Sequence, residues 1–308
     1  MNIIHRVSIA TAAMFFLHTA LAVAQTAEEY IEFGIEQGRE GNVREAIDFF
    51  SKALVLDTEN AGAYYNRGLA KSLGGDVKGA ITDYTRAIEL NPKLLGAHNN
   101  RGFARASLGD FRGAVEDISK AIALDPEVPE FYNNRGTAKS ALQDFKGAIA
   151  DYSRSISLNP RLAGAYNNRG LAKSMSGDPK GAISDFSLAI ERDQRYDAAW
   201  YNRGNARVAT GDFNGAVQDY NKALILNAEL VEAYNNRAYA KAALGDFQGA
   251  VDDLTRLLQV RPDNPEAYYN RGIAKKQLGD ISGAIGDLQK AATLGDRLSV
   301  KVLEELGR

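Results

Sequence analysis

The sequence predicts an all-α fold, a solenoid of eight helix-turn-helix repeats closed by one further helix. Three observations carry the prediction. A short string returns every 34 residues with no insertion. A turn with a helix-capping residue falls near the middle of each period. A helix terminator falls near its end. Self-similarity at such a fixed period marks repeat arrays, in which each unit buries its apolar face against its neighbours.

The string is plainest at Tyr64-Tyr65-Asn66-Arg67-Gly68, and copies lie at 98–102, 132–136, 166–170, 200–204, 234–238 and 268–272, with a weaker one at 30–34. The repeats are therefore 27–60, 61–94, 95–128, 129–162, 163–196, 197–230, 231–264 and 265–298. Residues 299–308 are left for a capping helix, with an apolar stripe of Leu298, Val302, Leu303 and Leu306. Within 61–94 a first helix is predicted over 62–73 and a second over 77–90. Gly74-Gly75 breaks the first, Asp76 caps the second, and Asn91-Pro92 ends it. The equivalents of Asp76 are Asn42, Asp110, Asp144, Asp178, Asp212, Asp246 and Asp280, so every second helix is expected to carry a side-chain cap.

Ahead of the repeats, 1–24 reads as a secretory signal: His5 and Arg6, an apolar run from Val7 to Leu21, then Ala22-Val23-Ala24 as a small-x-small cleavage site. The alternative is an uncleaved membrane anchor. With cleavage, the chain is expected to be exported to a bacterial periplasm, the alternative being secretion outside the cell, with no stable membrane insertion.

Composition narrows the function. The net charge of -2 gives no electrostatic reason for nucleic-acid binding. With no cysteine, and with His98 the one histidine beyond residue 24, there is no His-based triad and no soft metal cluster. Prominent carboxylates are all repeated, whereas an active site needs a unique constellation. The glycines are not spaced as a phosphate loop. The expectation is no enzyme, no cofactor and no metal.

Tyr64, Gly68, Ala80, Tyr84, Ala87 and Pro92 match the tetratricopeptide repeat (TPR) pattern in type and spacing, and the chain resembles that family over 27–298. The terminal proline is replaced by Thr58, Gln194, Ala228 and Asp296, and the glycine by Ala238. The resemblance implies a right-handed α-solenoid whose first helices line a concave groove, and a non-catalytic role in binding a protein or peptide. The alternative is a structural subunit of an envelope assembly that uses its ends or convex face.

Mid-helix glycines such as Gly68 cost about 1 kcal/mol relative to alanine, which is explained where two backbones approach closely. Arg67, Arg101, Arg135, Arg169, Arg203, Arg237 and Arg271 are each followed 16 residues later by Asp83, Asp117, Asp151, Asp185, Asp219, Asp253 and Asp287. Phe33 and Phe49 replace both charges in the first repeat. The midpoint of that spacing is the turn, so the partners are level across a helical hairpin and an ion pair is expected. Lys71 and its copies, four places after each arginine, either join these pairs or are solvated.

At about 100° per residue, Asn66 points away from the face that packs on the second helix. Its copies are Asn100, Asn134, Asn168, Asn202, Asn236 and Asn270. An amide that donates and accepts at once suits an extended peptide main chain. The row is similar to the asparagine ladder of the O-GlcNAc transferase superhelix, and to the asparagine of carboxylate-clamp adaptors, though no clamp of lysines is evident. The alternative is that these asparagines bridge neighbouring helices or echo repeat duplication. Tyr65, Phe103, Tyr201, Tyr239 and Tyr269 vary beside the row and are candidate peptide contacts.

Overall fold

The computed structural model describes residues 26–307, and the expected signal lies outside them. The described residues form seventeen helices and no strand. None of these helices is long and apolar enough to cross a membrane.

Two compact bodies divide the chain, one ending at Leu142 and the other beginning at Gln143. In the first body, α1 (Ala27–Glu40) and α2 (Val43–Leu56) form a hairpin, followed by α3 (Ala61–Leu73) with α4 (Val77–Leu90), α5 (Leu95–Ser107) with α6 (Phe111–Leu124), and α7 (Pro129–Ala141). The second body starts with α8 (Phe145–Leu158). It continues with α9 (Ala163–Met175) and α10 (Pro179–Arg192), α11 (Asp197–Ala209) and α12 (Phe213–Leu226), α13 (Val231–Ala243) and α14 (Phe247–Val260), then α15 (Pro265–Gln277) and α16 (Ile281–Thr293). α17 (Arg297–Glu305) closes it. Within each body every helix packs on the next, the nearest-neighbour stacking of an α-solenoid.

Local chemistry sets the boundaries. Asp76, Asp110, Asp144, Asp178, Asp212, Asp246 and Asp280 each accept a hydrogen bond from the backbone N–H three residues on. Asn42 departs from this expectation. Its amide donates to Gln37 and Glu40 instead, and no side-chain cap forms. An aspartate has no N–H with which to be drawn away. Between hairpin helices the chain turns through a left-handed residue, glycine at 41, 75, 109, 177, 211, 245 and 279, but Gln143 at φ 63° in the fourth repeat.

The core of each body is built on buried alanines beside larger side chains of the second helices: Ala46, Ala80 and Ala114 in the first body, and Ala148, Ala182, Ala216, Ala250 and Ala284 in the second. Four of the mid-helix glycines have a cause other than close backbone approach. A Cβ at Gly68 would come within 2.7 Å of the Tyr84 ring, and one at Gly204 within 2.6 Å of Tyr220. Gly34 faces Phe50, and Gly170 faces Phe186, in the same way. At these four the glycine makes room for a ring, whereas at Gly102 and Gly272 a Cβ would meet Ile118 or Leu288 and also a backbone carbonyl, Ala114 at 3.1 Å or Ala284 at 3.2 Å, the close approach expected from the sequence. In the seventh repeat the ring is replaced by Leu254, and there Ala238 fits, fully buried.

α17 ends at Glu305, and its inward face differs from the expected stripe. Leu298 is exposed, while Ser299 and Leu303 are buried. Asp296 accepts from both the backbone N–H and the hydroxyl of Ser299, which lets this polar residue face inward.

Candidate functional site

The hairpin faces carry charged clusters. Arg67 Nε and Nη2 grip the two oxygens of Asp83 at 2.9 and 2.7 Å. The same two-pronged pairing joins Arg101 to Asp117, Arg169 to Asp185, Arg203 to Asp219, Arg237 to Asp253 and Arg271 to Asp287. Arg135 lies in the first body and Asp151, which is buried, in the second. Each of the six aspartates also takes a second cation. Lys71, Arg105, Lys173, Arg207, Lys241 and Lys275 reach the other carboxylate oxygen at 2.7–2.9 Å. The lysine row thus joins the ion pairs. For Asp287, burial pushes the carboxyl up, but hydrogen bonds from Arg271 and Lys275 bring it below its ordinary value. The Asp83 hydrogen bond holds the Arg67 guanidinium above its ordinary value against the opposing effect of burial.

A third row went unread in the sequence. The remaining arginine nitrogen donates to a hydroxyl of the preceding repeat: Arg67 Nη1 to Ser51 at 3.2 Å, Arg101 to Thr85 at 3.0 Å, Arg135 to Ser119 at 3.1 Å and Arg203 to Ser187 at 3.0 Å. Asn221 Oδ1 serves Arg237 in the same way. The hydroxyls donate in turn to a carbonyl one turn back, as Ser51 does to Ile47 at 2.7 Å. The signal was available. Ser51, Thr85, Ser119, Ser153, Ser187, Asn221 and Thr255 recur with the 34-residue period, each 16 residues before an arginine. His98 replaces the aromatic residue that lies under the arginine in other repeats. It is buried, and its Nε2 meets the Pro92 carbonyl at 3.0 Å, as the Trp200 indole meets that of Gln194.

The asparagine row lies on the opposite face of the first helices, and much of it is engaged between repeats. Asn100 donates to the Tyr65 hydroxyl at 3.2 Å, Asn134 to Asn99 at 3.2 Å and Asn202 to Asn167 at 2.9 Å. Asn236 donates to Tyr201 at 3.1 Å and to Asn205 at 2.8 Å. Asn168 accepts from Asn167. Each direct bridge is worth about 1 kcal/mol, so the row helps to hold successive first helices in register. Burial pushes the Tyr65 hydroxyl up, with the Asn100 hydrogen bond opposing it. Tyr65 and Tyr201 are therefore half-buried partners in these bridges, their rings set against Tyr84 and Tyr220. Asn66 makes no side-chain hydrogen bond among the described residues, because the residue at the bridging position of the first repeat is Ile31.

What stays open on this face is more local. Phe103 and Tyr239, at the same place in their repeats, are 62% and 60% exposed, and Leu171 shares that position. Tyr239 rests edge-on against Phe213. Beside it are two adjoining pockets in the second body. One, of about 210 Å³, lies between α13, α14 and α15 and includes Tyr239, Phe247, Leu254, Tyr269 and Ile273. The other, of about 280 Å³, is more polar and includes Asn205, Asn236, Tyr239 and Glu266. Asn235 and Asn270 border both. The arrangement suits reversible contact with a mixed apolar and polar surface.

Comparison with known proteins accords with this architecture. A family model described as TPR repeat matches residues 73–109, 204–245 and 239–279, and one described as tetratricopeptide repeat matches 100–163. Together they span more than half of the chain. No curated protein matches. Among solved structures, MamA is 27% identical with a TM-score of 0.50, over 54% of this chain and 96% of its own. YrrB, described as a TPR protein with an unusual peptide-binding site, is 23% identical with a TM-score of 0.51, over 60% of this chain and 95% of its own. A tetratricopeptide repeat protein from Parabacteroides merdae ATCC 43184 is 21% identical with a TM-score of 0.63, over 83% of this chain and 98% of its own. The last two likenesses speak to the fold.

Proposed function

The chain belongs to the tetratricopeptide-repeat family, and from that premise we propose that this protein-interaction scaffold holds an extended segment of a partner protein along the exposed face of its first helices. One observation carries the reading. On that face Phe103 and Tyr239 stand open to solvent, the latter beside two pockets, whereas the charged clusters are already internally paired. Exposed aromatic residues beside pockets are the usual anchors of protein recognition. The peptide-binding site described for YrrB, on the same fold, supports the reading. Export is part of the proposal, supported by the apolar run from Val7 to Leu21 and by Ala22-Val23-Ala24.

The competing reading, an assembly subunit that uses its second helices, is favoured by the exposure of Val55 and Ile225 on those helices. A photo-cross-linking phenylalanine analogue separates the two. Placed at Phe103 or Tyr239 of the full chain, it captures the partner if the first-helix face binds. Capture from Lys222, exposed on a second helix, and not from Phe103 or Tyr239 overturns the proposal in favour of assembly. N-terminal sequencing of the cell-envelope form tests export, with Gln25 expected as the first residue and an uncleaved Met1 refuting cleavage.

A further inference from the structure

The seventh repeat differs from its neighbours in a way that makes a specific receptor. In the second and sixth repeats a pair of tyrosines fills the space beside the first helix, Tyr65 with Tyr84 at 6.1 Å and Tyr201 with Tyr220 at 6.0 Å. The seventh repeat has Asn235 and Leu254 at those two places. Both are smaller, and the apolar pocket of about 210 Å³ opens there, with Tyr239, Phe247 and Ile273 among its walls. That volume is below the roughly 300 Å³ at which small-molecule sites begin, and it suits one apolar side chain.

Two amides at its mouth are unpaired. The third repeat has a similarly small pair, Asn99 and Ile118, but there Asn134 closes onto Asn99 at 3.2 Å. Asn202 closes onto Asn167 in the same manner at 2.9 Å. Asn270 makes no such bond to Asn235, and among the described residues no side-chain hydrogen bond reaches either amide. Both remain able to donate to and accept from a main chain, the pattern that pairs with an extended peptide.

One charge completes the site. Of the residues lining the two pockets, Glu266 is the charged one, and it is exposed. Its counterpart one repeat earlier, Glu232, is held by Arg261 at 2.6 Å. The residue that would play the part of Arg261 for Glu266 is Gly295, and among the described residues this carboxylate has no cation partner. The site is therefore complementary to a positive charge.

We infer that this site, taken together with the proposed first-helix binding face on which it rests, receives a peptide segment in which an apolar residue lies close to a lysine or arginine. The apolar side chain enters beside Leu254, Asn235 and Asn270 hold the main chain, and Glu266 pairs with the cation.

The test uses the full chain and a positional-scanning library of end-capped synthetic octapeptides. The expected selection is an apolar position with a basic one close to it. The best peptide, labelled with fluorescein, is then titrated by polarisation against three variants. The double variant A238G/L254F fills the pocket with the glycine-and-ring pair that Gly170 and Phe186 form, and it is expected to weaken binding about tenfold or more with thermal unfolding unchanged. E266Q is expected to remove the preference for lysine over glutamate beside the apolar residue. N270A, a half-buried edge residue, is expected to weaken binding without affecting the fold. If the peptide binds the pocket-filled variant and E266Q as tightly as the wild type, this inference is overturned. Loss of that binding on Phe103→Ser would still leave the broader first-helix reading standing. If no octapeptide in the library binds the wild-type chain, both readings fail.

Discussion

Removal of one carboxylate from a paired cluster should cost far more than removal of the whole pair. Asp219 is the sharpest case, because its side chain is 1% exposed and that of Arg203 is 13% exposed. Asp219 accepts from Arg203 Nε at 2.9 Å and Nη2 at 2.7 Å, and from Arg207 at 2.9 Å. In Asp219→Ala the Arg203 guanidinium loses its counter-charge in a site with little water, and Arg207 is left with Asp212 at 3.5 Å. Breaking a buried pair by deleting one partner costs about 3–5 kcal/mol. The double variant R203F/D219F removes both charges at once and installs the Phe33–Phe49 packing of the first repeat, whose rings lie 5.7 Å apart. Its cost should be close to zero, since apolar replacement of a buried pair is often neutral. Arg207 keeps the Asp212 carboxylate at 3.5 Å and the Gly215 carbonyl at 3.0 Å, and Ser187 keeps its bond to Ile183. The chain has one tryptophan, Trp200, whose ring lies 4.8 Å from the Arg203 guanidinium, so its fluorescence reports on this repeat. With urea slopes of about 1–3 kcal/mol per M, D219A should lower the Trp200 midpoint by about 1–5 M. Circular dichroism over the whole array should shift less, because repeat stability is summed over neighbours. A D219A shift below about 0.5 M, or a double variant as unstable as the single one, would refute the reasoning.

Three further outcomes follow. Gln143→Gly should stabilise the chain by about 1 kcal/mol, since Gln143 alone holds at φ 63° the turn position that glycine holds elsewhere; unchanged thermal unfolding would contradict this. Gly204→Ala should destabilise by roughly 1–3 kcal/mol, because the new Cβ meets the Tyr220 ring at 2.6 Å. Adding Tyr220→Leu should relieve the clash, as the natural Ala238 and Leu254 combination does, and equal melting of single and double variants would count against it. Asp287 sits below its ordinary value in the folded protein, so it binds its proton more weakly folded than unfolded. Its contribution to stability is therefore present above the unfolded carboxylate value of about 4 and is lost as pH falls through the folded value. The stability lost between pH 5 and pH 3 should shrink in Asp287→Asn, measured by urea unfolding, and an undiminished loss would exclude this origin.

Among the sites, the hairpin clusters were the most legible. Arg67 and Asp83 lie within one hairpin, and the turn between their helices is short. A symmetric spacing about that turn places the partners level whatever the neighbouring repeats do. The hydroxyl row was equally periodic but lacked a recognisable charge partner, and serine or threonine on a helix carries many meanings. The glycine row was visible too, while its reason was not. Gly68 alone does not reveal whether a backbone or the Tyr84 ring occupies the missing Cβ position.

By itself, then, the sequence determined the period, the helices, most of their caps and the Arg–Asp pairing inside six of the hairpins. These depend on interactions within one turn or across one short loop, and the residue types carry them directly. Asn42 marks the limit, because even a cap is surrendered when nearby Gln37 and Glu40 offer its amide better partners. Only the tertiary structure decided which members of the asparagine row bridge repeats and which stay open. That choice depends on the volumes packed between successive first helices. Tyr201 and Tyr220 fill the space in one repeat, while Asn235 and Leu254 leave it open in the next. A row that looks uniform in sequence is therefore divided by its neighbours into structural bridges and unpaired amides, because packing couples residues that the repeat pattern treats as independent.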